Sequence, residues 1–278
     1  MPWMSGPSYG TFVERNNMPN YDVVTVSFEN VATIQRYLEP WVHANRLSHL
    51  TVVDNASKDG TVPQLQAVLL PQQIQLNTDN IGYAKAANQG AAVGRQPYIA
   101  FINPDCFVQS DTVCKLVEFL HENPQVGIVG CRVLNENGGL QAASCRRLPT
   151  FWRVFNHITG LYHLGLPGIN KSEQKSLQSG SVEAINGALF VIRRDLFEQL
   201  NGFDEAFPLH FEDLDLFARC LKSRHEIFYL ADYQATHLQG ASTQDNKRVK
   251  RWKKHGLKRY FLKHRPRWEQ WFVNRLTS

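Results

Sequence analysis

Two clusters of polar residues in this chain have the types and spacing to do chemistry. The first is Asn103-Pro104-Asp105, set at the end of the apolar run Tyr98–Ile102. Proline lacks an N–H and fixes its own φ, so a strand stops there and leaves Asp105 at its carboxyl end. In open α/β sheets that end is where ligands bind. The plainer reading is a strand-to-loop turn capped by an aspartate. The second cluster is Glu212, Asp213 and Asp215, at the start of a segment whose apolar positions include Leu214, Phe217, Ala218 and Leu221. Acids in a first helical turn are favoured by the helix dipole by ~0.3–1 kcal/mol each, which alone accounts for Glu212 and Asp215. The chemical reading is that one carboxylate, kept ionised by the dipole, acts as a base beside a bound acceptor. Neighbouring side chains point different ways, so only one of Glu212 and Asp213 is expected to face the chemistry.

Both clusters need elements to position them. In the first half, strands are predicted over Asp22–Phe28, Leu50–Asn55, Ile74–Leu76, Tyr98–Ile102 and Val126–Gly130. Helical patterns fall between them, over Val31–Ala44 (with a kink at Pro40), Val62–Leu69, Gly82–Val93 and Ser110–Asn123. Such alternation means a parallel sheet with right-handed crossovers. Further on, Cys131–Ser144 reads as a hairpin turning at Asn137-Gly138-Gly139. Cys145–Gly180 reads as loops and short helices over a site. "VEAINGALFVIRR" is a strand with a glycine break, followed by a short helix over Asp195–Leu200, a helix over Leu214–Lys222 and a strand ending at His237.

Four polar stretches lie where first-half strands end: Ser27–Asn30, Asp54–Gly60, Asp79–Gly90 and Asn103–Asp105. In a parallel sheet these ends converge on one rim. Glu29, Asp54 and Asp105, together with Lys58, Lys85 and several asparagines, suit a nucleotide. Amides and carboxylates serve base and ribose; cations serve phosphates. Each stretch also has a local explanation, because Asp, Asn, Ser and Gly are what turns use and small residues suit a helix packed closely on a sheet. Neither G-x-G-x-x-G after the first strand nor G-x-x-x-x-G-K-[ST] occurs, so the dinucleotide and P-loop readings lose their main support.

The 278 residues are 43% hydrophobic and 20% charged, the composition of a folded soluble protein. No apolar run approaches the ~20 residues that span a bilayer. The first twenty residues read as a loose leader, without the basic start and apolar stretch of a secretory signal. Five cysteines (Cys106, Cys114, Cys131, Cys145, Cys220) form no C-x-x-C pair, so free thiols in a reducing cytoplasm are expected. The net charge of +5 hides an asymmetry: Lys247–Arg267 holds eleven Lys or Arg and no acid, leaving 19 basic against 25 acidic residues elsewhere. A basic tail seeks an anionic surface: membrane, nucleic acid or an acidic partner. Val249, Trp252, Leu257, Tyr260 and Phe261 fall on one broad helical face of it. That face either lies in a membrane interface or packs on the rest of the chain. No nucleic-acid recognition motif accompanies the charge, so nucleic acid is not expected as a partner.

Taken in order, "DNASKDG", "NIGYAKAANQG", "NPD", "NGALFVIRRDLFEQLNGFDEAFPLHFEDLDLFAR" and "HLQGAS" resemble the family 2 glycosyltransferases. They are nearest the rhamnosyltransferase-like branch, which carries "NPD" where others carry D-x-D. The resemblance covers Val23–Ser242 and implies an α/β fold of the GT-A type, a Rossmann-like, mostly parallel sheet flanked by helices. A leader (1–20) would precede a domain (21–242) with a nucleotide-sugar half (21–130) and an acceptor half (131–242). A basic amphipathic tail (243–278) would follow. The implied reaction is inverting transfer from a nucleoside-diphosphate sugar, dTDP-rhamnose or a UDP-sugar, to a saccharide or lipid-linked saccharide. It would serve cell-surface polysaccharide synthesis in the cytoplasm, peripherally at the inner face of the membrane.

The same resemblance implies site roles. Ser27 and Glu29 would line the nucleotide pocket and Asp54 would contact the base. Asn80, Lys85 and Asn88 would lie near the ribose and donor. Asn103 and Asp105 would meet the diphosphate, with Asp105 and His237 holding Mn2+ or Mg2+. Asp213 would be the general base with Glu212 beside it, and Trp152 with the Cys145–Gly180 loops would form the acceptor side. His237 also reads as a strand-end histidine without a ligand role. Asn103 removes one charge from the metal side, which keeps open a degenerate nucleotide-sugar binder. A nucleotidyltransferase would want a Gly-rich basic loop near the first strand, which "SFENVATIQR" lacks.

Overall fold

The computed structural model describes residues 19–170, 178–207, 209–238 and 246–276. The expected leader, all but its last two residues, and "HLQGAS" after Leu238 lie outside the described residues. The chain begins with β1 (Tyr21–Ser27), α1 (Ile34–His43, with Pro40 inside), β2 (Leu50–Asp54), α2 (Thr61–Gln66), β3 (Ile74–Leu76), α3 (Tyr83–Val93) and β4 (Tyr98–Ile102). These four strands pair in parallel. Alternate residues split between two apolar layers: Val24, Val53 and Phe101 face one side of the sheet, and Val23, Val52 and Ala100 the other. The alanines of α3 have a reason to be small. Ala84, Ala86, Ala87 and Ala91 are buried, and a Cβ at Gly90 would overlap Val24 of β1.

The second half departs from the parallel pattern. After β5 (Cys106–Phe107), α4 (Ser110–Glu122) and β6 (Val126–Leu134) come β7 (Cys145–Arg146), α5 (Phe151–Thr159), β8 (Gly180–Val182), β9 (Ala184–Ile185) and β10 (Leu189–Arg193). The chain then runs through α6 (Arg194–Gln199), α7 (Glu212–Lys222), β11 (Glu226–His237), α8 (Asn246–His264) and α9 (Arg267–Leu276). The main path of the sheet is β3-β2-β1-β4-β10-β6-β11-β5. Strand β10 runs antiparallel to both β4 and β6, so the sheet is mixed. The glycine break before β10 turns the chain back down the sheet directly from the rim, and no crossover helix is needed. The predicted turn at Asn137–Gly139 is present, but its second arm forms only the Leu134–Leu140 bridge. No disulfide joins the five cysteines, and all are buried.

The basic tail packs on the body. Tyr260 and Phe261 are buried, and Leu257 lies against the same core. Its cations are held from the body: Asp204 binds Arg259 and Lys263, both at 2.9 Å. The fully buried Asp215 on α7 meets Arg219 at 2.7 Å, Lys263 at 2.8 Å and His264 at 2.7 Å. The face offered as a membrane candidate is therefore spent on packing for Leu257, Tyr260 and Phe261. Among the described residues no helix is long and apolar enough to cross a membrane.

Asp215 makes the tail part of the fold. Burial would raise its carboxyl, but His264, Arg219 and Lys263 outweigh that and hold it at about 2. Its unfolded value is near 3.8. A depressed acid stabilises the fold above its unfolded value and loses that contribution as pH falls through the folded one. Asp215→Asn is expected to cost ~3–5 kcal/mol, the range for leaving buried partners uncompensated. It should also flatten the acid limb between about pH 4 and 2, read by urea unfolding across pH.

Candidate active site

The rim expected to receive a nucleotide is built from strand ends in register. Ser27 of β1 lies opposite Asp54 of β2, and Ser27 Oγ donates to Asp54 Oδ2 at 2.7 Å. Ser57 donates from its N–H to Oδ1 (2.8 Å) and from its hydroxyl to Oδ2 (2.6 Å). Asp54 thus has three of a carboxylate's roughly four acceptor sites filled, and it is buried. It ties two loops together, since the Glu29 N–H also donates to Ser57 Oγ at 2.8 Å. Glu29 sits at φ 54°, an uncommon conformation for a side-chain-bearing residue, and is half-buried, while Lys58, Asn80 and Lys85 are exposed. Asn80 Oδ1 accepts from the Gly82 N–H at 3.1 Å, just ahead of α3.

Asn88 is not brought to this rim as a free amide. Its Nδ2 donates to the Phe203 carbonyl (3.0 Å) and to Glu205 (3.1 Å), and its Oδ1 accepts from the Phe203 N–H (2.9 Å). Both ends of the side chain are spent on the loop after α6. These bonds tie α3 to that loop.

Asp105 and His237 do come together. β5 pairs antiparallel with β11, with Cys106 opposite His237. This places His237 Nε2 3.3 Å from Asp105 Oδ1, with both side chains largely buried. Asn103 is half-buried, and its backbone bonds Ala188 and Cys106. Gln141, just past the hairpin turn, fixes the imidazole. Its Nε2 donates to the His237 carbonyl at 2.7 Å, which leaves its Oε1 to accept from His237 Nδ1 at 3.2 Å. Asn186 Nδ2 donates into the same Oε1 at 3.1 Å. In the neutral ring the proton is then on Nδ1, and the Nε2 lone pair faces a carboxylate oxygen. Two lone pairs at that distance call for a proton or a cation between them. Among the described residues no group of three or more His, Cys, Asp or Glu gathers as a metal cluster. A site with one carboxylate and one imidazole suits a hard divalent ion that takes its other ligands from a diphosphate and water. Were a divalent ion held there, Gln141→Leu would weaken Mn2+ binding ~10–100-fold, as loss of a hydrogen bond that orients a metal-binding histidine does, measured by calorimetry on the nucleotide complex.

The carboxylates expected to supply a base lie across the Asn186-Gly187 break. A Cβ at Gly187 would collide with the Asp213 carboxylate, so only glycine lets the two meet. Arg146 grips Asp213 Oδ2 through Nη2 and is itself held by the Ile185 carbonyl, at 2.9 Å from Nε and 2.6 Å from Nη2. The chain enters α7 through two residues in the left-handed region, His210 (φ 67°) and Phe211 (φ 72°). Such non-glycine conformations cost ~1–3 kcal/mol each and cluster at functional sites. Burial and nearby Lys253 push His210 down to about 4.

Glu212 and Asp213 differ as their adjacency predicts. Glu212 is buried, and its Oε2 has no hydrogen-bond partner. Burial first, then the neighbouring Asp213, raises its carboxyl to about 8. The dipole expectation of an ionised first-turn acid therefore fails for Glu212, because desolvation exceeds the dipole's contribution. The folded state keeps a proton that the unfolded chain releases above about 4.5, so stability falls as pH rises from about 4.5 to 8. Glu212→Gln is expected to raise the melting temperature at pH 8 and to reduce its decline between pH 5 and 8, followed by calorimetry.

Arg146, Gln141, Asn186 and His210 were not singled out in the sequence. Only the Asn186-Gly187 pair had a visible signal, a polar-glycine interruption inside an apolar strand. Trp152 opens α5 and is strongly exposed, in ring contact with Phe151.

A mixed sheet whose strand ends present Ser27, Asp54 and Asp105, with the carboxylate-bearing helix α7 beyond the Asn186-Gly187 break, defines a GT-A type fold. Its solved likenesses agree. GalNAc-T7 with UDP, GalNAc and Mn2+ superposes with a TM-score of 0.64 at 15% identity, over 89% of this chain and 48% of that one. The mannosyltransferase PcManGT from Pyrobaculum calidifontis, in complex with GDP-Man and Mn2+, gives 0.59 at 18% identity, over 95% of this chain and 67% of that one. The chain belongs to glycosyl transferase family 2, whose model matches residues 22–200. Among its relatives, the N-acetylglucosaminyl-diphospho-decaprenol L-rhamnosyltransferase of Mycobacterium tuberculosis is 26% identical over 237 residues, 80% of this chain and 76% of that protein. The rhamnosyltransferase WbbL of Escherichia coli is 26% identical over 143 residues, 50% of this chain and 52% of that protein.

Proposed function

We propose that this glycosyltransferase moves rhamnose from dTDP-rhamnose, with UDP-sugars as the second choice of donor, to a saccharide hydroxyl with inversion. The acceptor we assign is a lipid-linked diphosphate saccharide presented at the inner face of the membrane. The names of the rhamnosyltransferase relatives support the sugar and the acceptor class. The Mn2+ in the two solved likenesses supports a divalent metal.

The observation that carries the reading is the Asn186-Gly187 break. Asn186 reaches His237 through Gln141, and Gly187 abuts Asp213. Two adjacent residues thereby set the spacing between a cation-binding pair and a carboxylate base. Asp105 and His237 would hold Mn2+ or Mg2+, which supplies charge neutralisation for a departing nucleoside diphosphate. Asp213 takes the proton of the attacking hydroxyl, and Arg146 keeps its carboxylate oriented. Glu212, protonated at neutral pH, lowers the negative charge beside the base. Ser27, Glu29 and the Asp54 loop would receive the base and ribose, with Lys85 exposed near the start of α3.

The test is a melting-temperature panel of nucleoside diphosphates with and without Mn2+, followed by transfer from dTDP-rhamnose and UDP-sugars to a diphosphate-linked N-acetylglucosamine acceptor. A thymidine-diphosphate shift that needs Mn2+, followed by turnover, is the expected result. Binding with no turnover over the acceptor panel would favour a nucleotide-sugar binder, the alternative that Asn103 keeps open.

A further inference from the structure

The tail helix α8 packs Leu257, Tyr260 and Phe261 on the body and leaves Leu262 exposed, while α9 and α5 carry aromatic rings that the fold leaves in water. Trp152 is 62% exposed, Trp268 50%, Trp271 51% and Phe272 41%. They are contiguous. Phe151 lies 5.1 Å from the Trp152 ring, 6.0 Å from Trp268 and 5.0 Å from Phe272, and Phe272 lies 4.8 Å from Trp271. Single exposed apolar residues need no explanation, but a joined patch of large rings marks an interaction surface.

The tail that carries three of the four rings is charged almost wholly with one sign in sequence; at the α5 end, Arg153 beside Trp152 is paired with Glu183. Residues 247–276 hold twelve Lys or Arg and a single acid, Glu269. Glu269 is turned inward, 4% exposed, accepting from the Phe151 N–H at 2.9 Å and from Arg265 Nε at 2.8 Å. Val273 anchors the inner side of the helix. The outer side of α9 therefore shows tryptophan, phenylalanine and arginine with no carboxylate. Arg267 flanks one end of it, and at the other end Arg275 stacks 4.2 Å over Trp271. Tryptophan has an apolar body and a polar N–H, and settles at the level of lipid headgroups. Arginine at the rim meets anionic phosphate. A second copy of this chain fits less well, because a two-fold contact would set these cationic faces against each other.

We propose that the Trp152–Trp268–Trp271–Phe272 face of α5 and α9 docks on an anionic phospholipid bilayer. The inference rests on the lipid-linked acceptor reading above. The chain path supports the placement: α5 begins five residues after Arg146, which grips Asp213. An acceptor whose lipid stays in the membrane must bring its hydroxyl to that base, so the docking face has to lie a short span from it.

The test uses the full chain and vesicles of phosphatidylcholine with or without phosphatidylglycerol. Wild type is expected to co-sediment with the anionic vesicles only. Its tryptophan emission should shift to shorter wavelength and be quenched by lipids brominated near the headgroup. The double variant Trp268→Ser, Trp271→Ser is expected to lose vesicle affinity at least tenfold. It should keep its melting temperature and its transfer to a soluble acceptor lacking the lipid. Failure of wild type to bind any vesicle overturns the membrane reading, and the inference with it. Vesicle binding without quenching and unchanged in the double variant overturns the assigned face alone. A concentration-dependent dimer abolished by the double variant also overturns it, in favour of a second copy.

Discussion

Replacing Asp213 with asparagine is expected to lower the transfer rate ~10²–10⁴-fold, the usual contribution of a positioned general base, while nucleotide binding stays within a few-fold of wild type. The amide keeps the shape of the carboxylate but takes no proton. Arg146 stays in place through its two bonds to the Ile185 carbonyl, so the fold around the base should survive. Single-turnover transfer at saturating donor measures the loss, and calorimetric titration with the nucleoside diphosphate measures binding. Equal losses in both would remove Asp213 from the role of base and make it a donor-site residue. Retained transfer would pass the role to another group.

Asp105→Ala is expected to abolish the part of nucleotide affinity that depends on Mn2+. Asp105 and His237 are the two ligand-type side chains that meet at the end of β5. Loss of even outer-shell support costs ~10–100-fold in metal affinity, so loss of the carboxylate itself should cost at least that. With a chelator present the variant and wild type should bind nucleotide alike. A loss of the same size with chelator present would mean that Asp105 touches the nucleotide or holds the loop, and no metal.

Much of the frame was legible because its physics is local. Largely apolar strands such as Leu50–Asp54 and Tyr98–Ile102 declare a sheet covered on both faces, and the polar residues after them mark the rim. The antiparallel course of β10 was not legible, since an apolar run looks the same in either direction and its neighbours are distant in sequence. The partners of Asn88 were hidden for a related reason: nothing near an amide one turn into a small-residue helix announces that the distant 202–205 loop bonds it. The Asp105–His237 pair followed from motif order. The partners that orient the pair and the base, Gln141 and Arg146, sit in segments with no periodic signal and gain meaning only from long-range pairing. Glu212 shows the limit of the dipole rule, which prices an exposed first turn and takes no account of desolvation.

The two-residue break at Asn186-Gly187 has a mechanical corollary. Because one member is tethered toward the histidine and the other is pressed against the aspartate, the bridge between them has no slack to serve as a hinge. In the proposed reaction the loops around this bridge, and not the bridge itself, would open to admit and release the reactants, and the two neighbourhoods would keep their separation like the jaws of a fixed gauge.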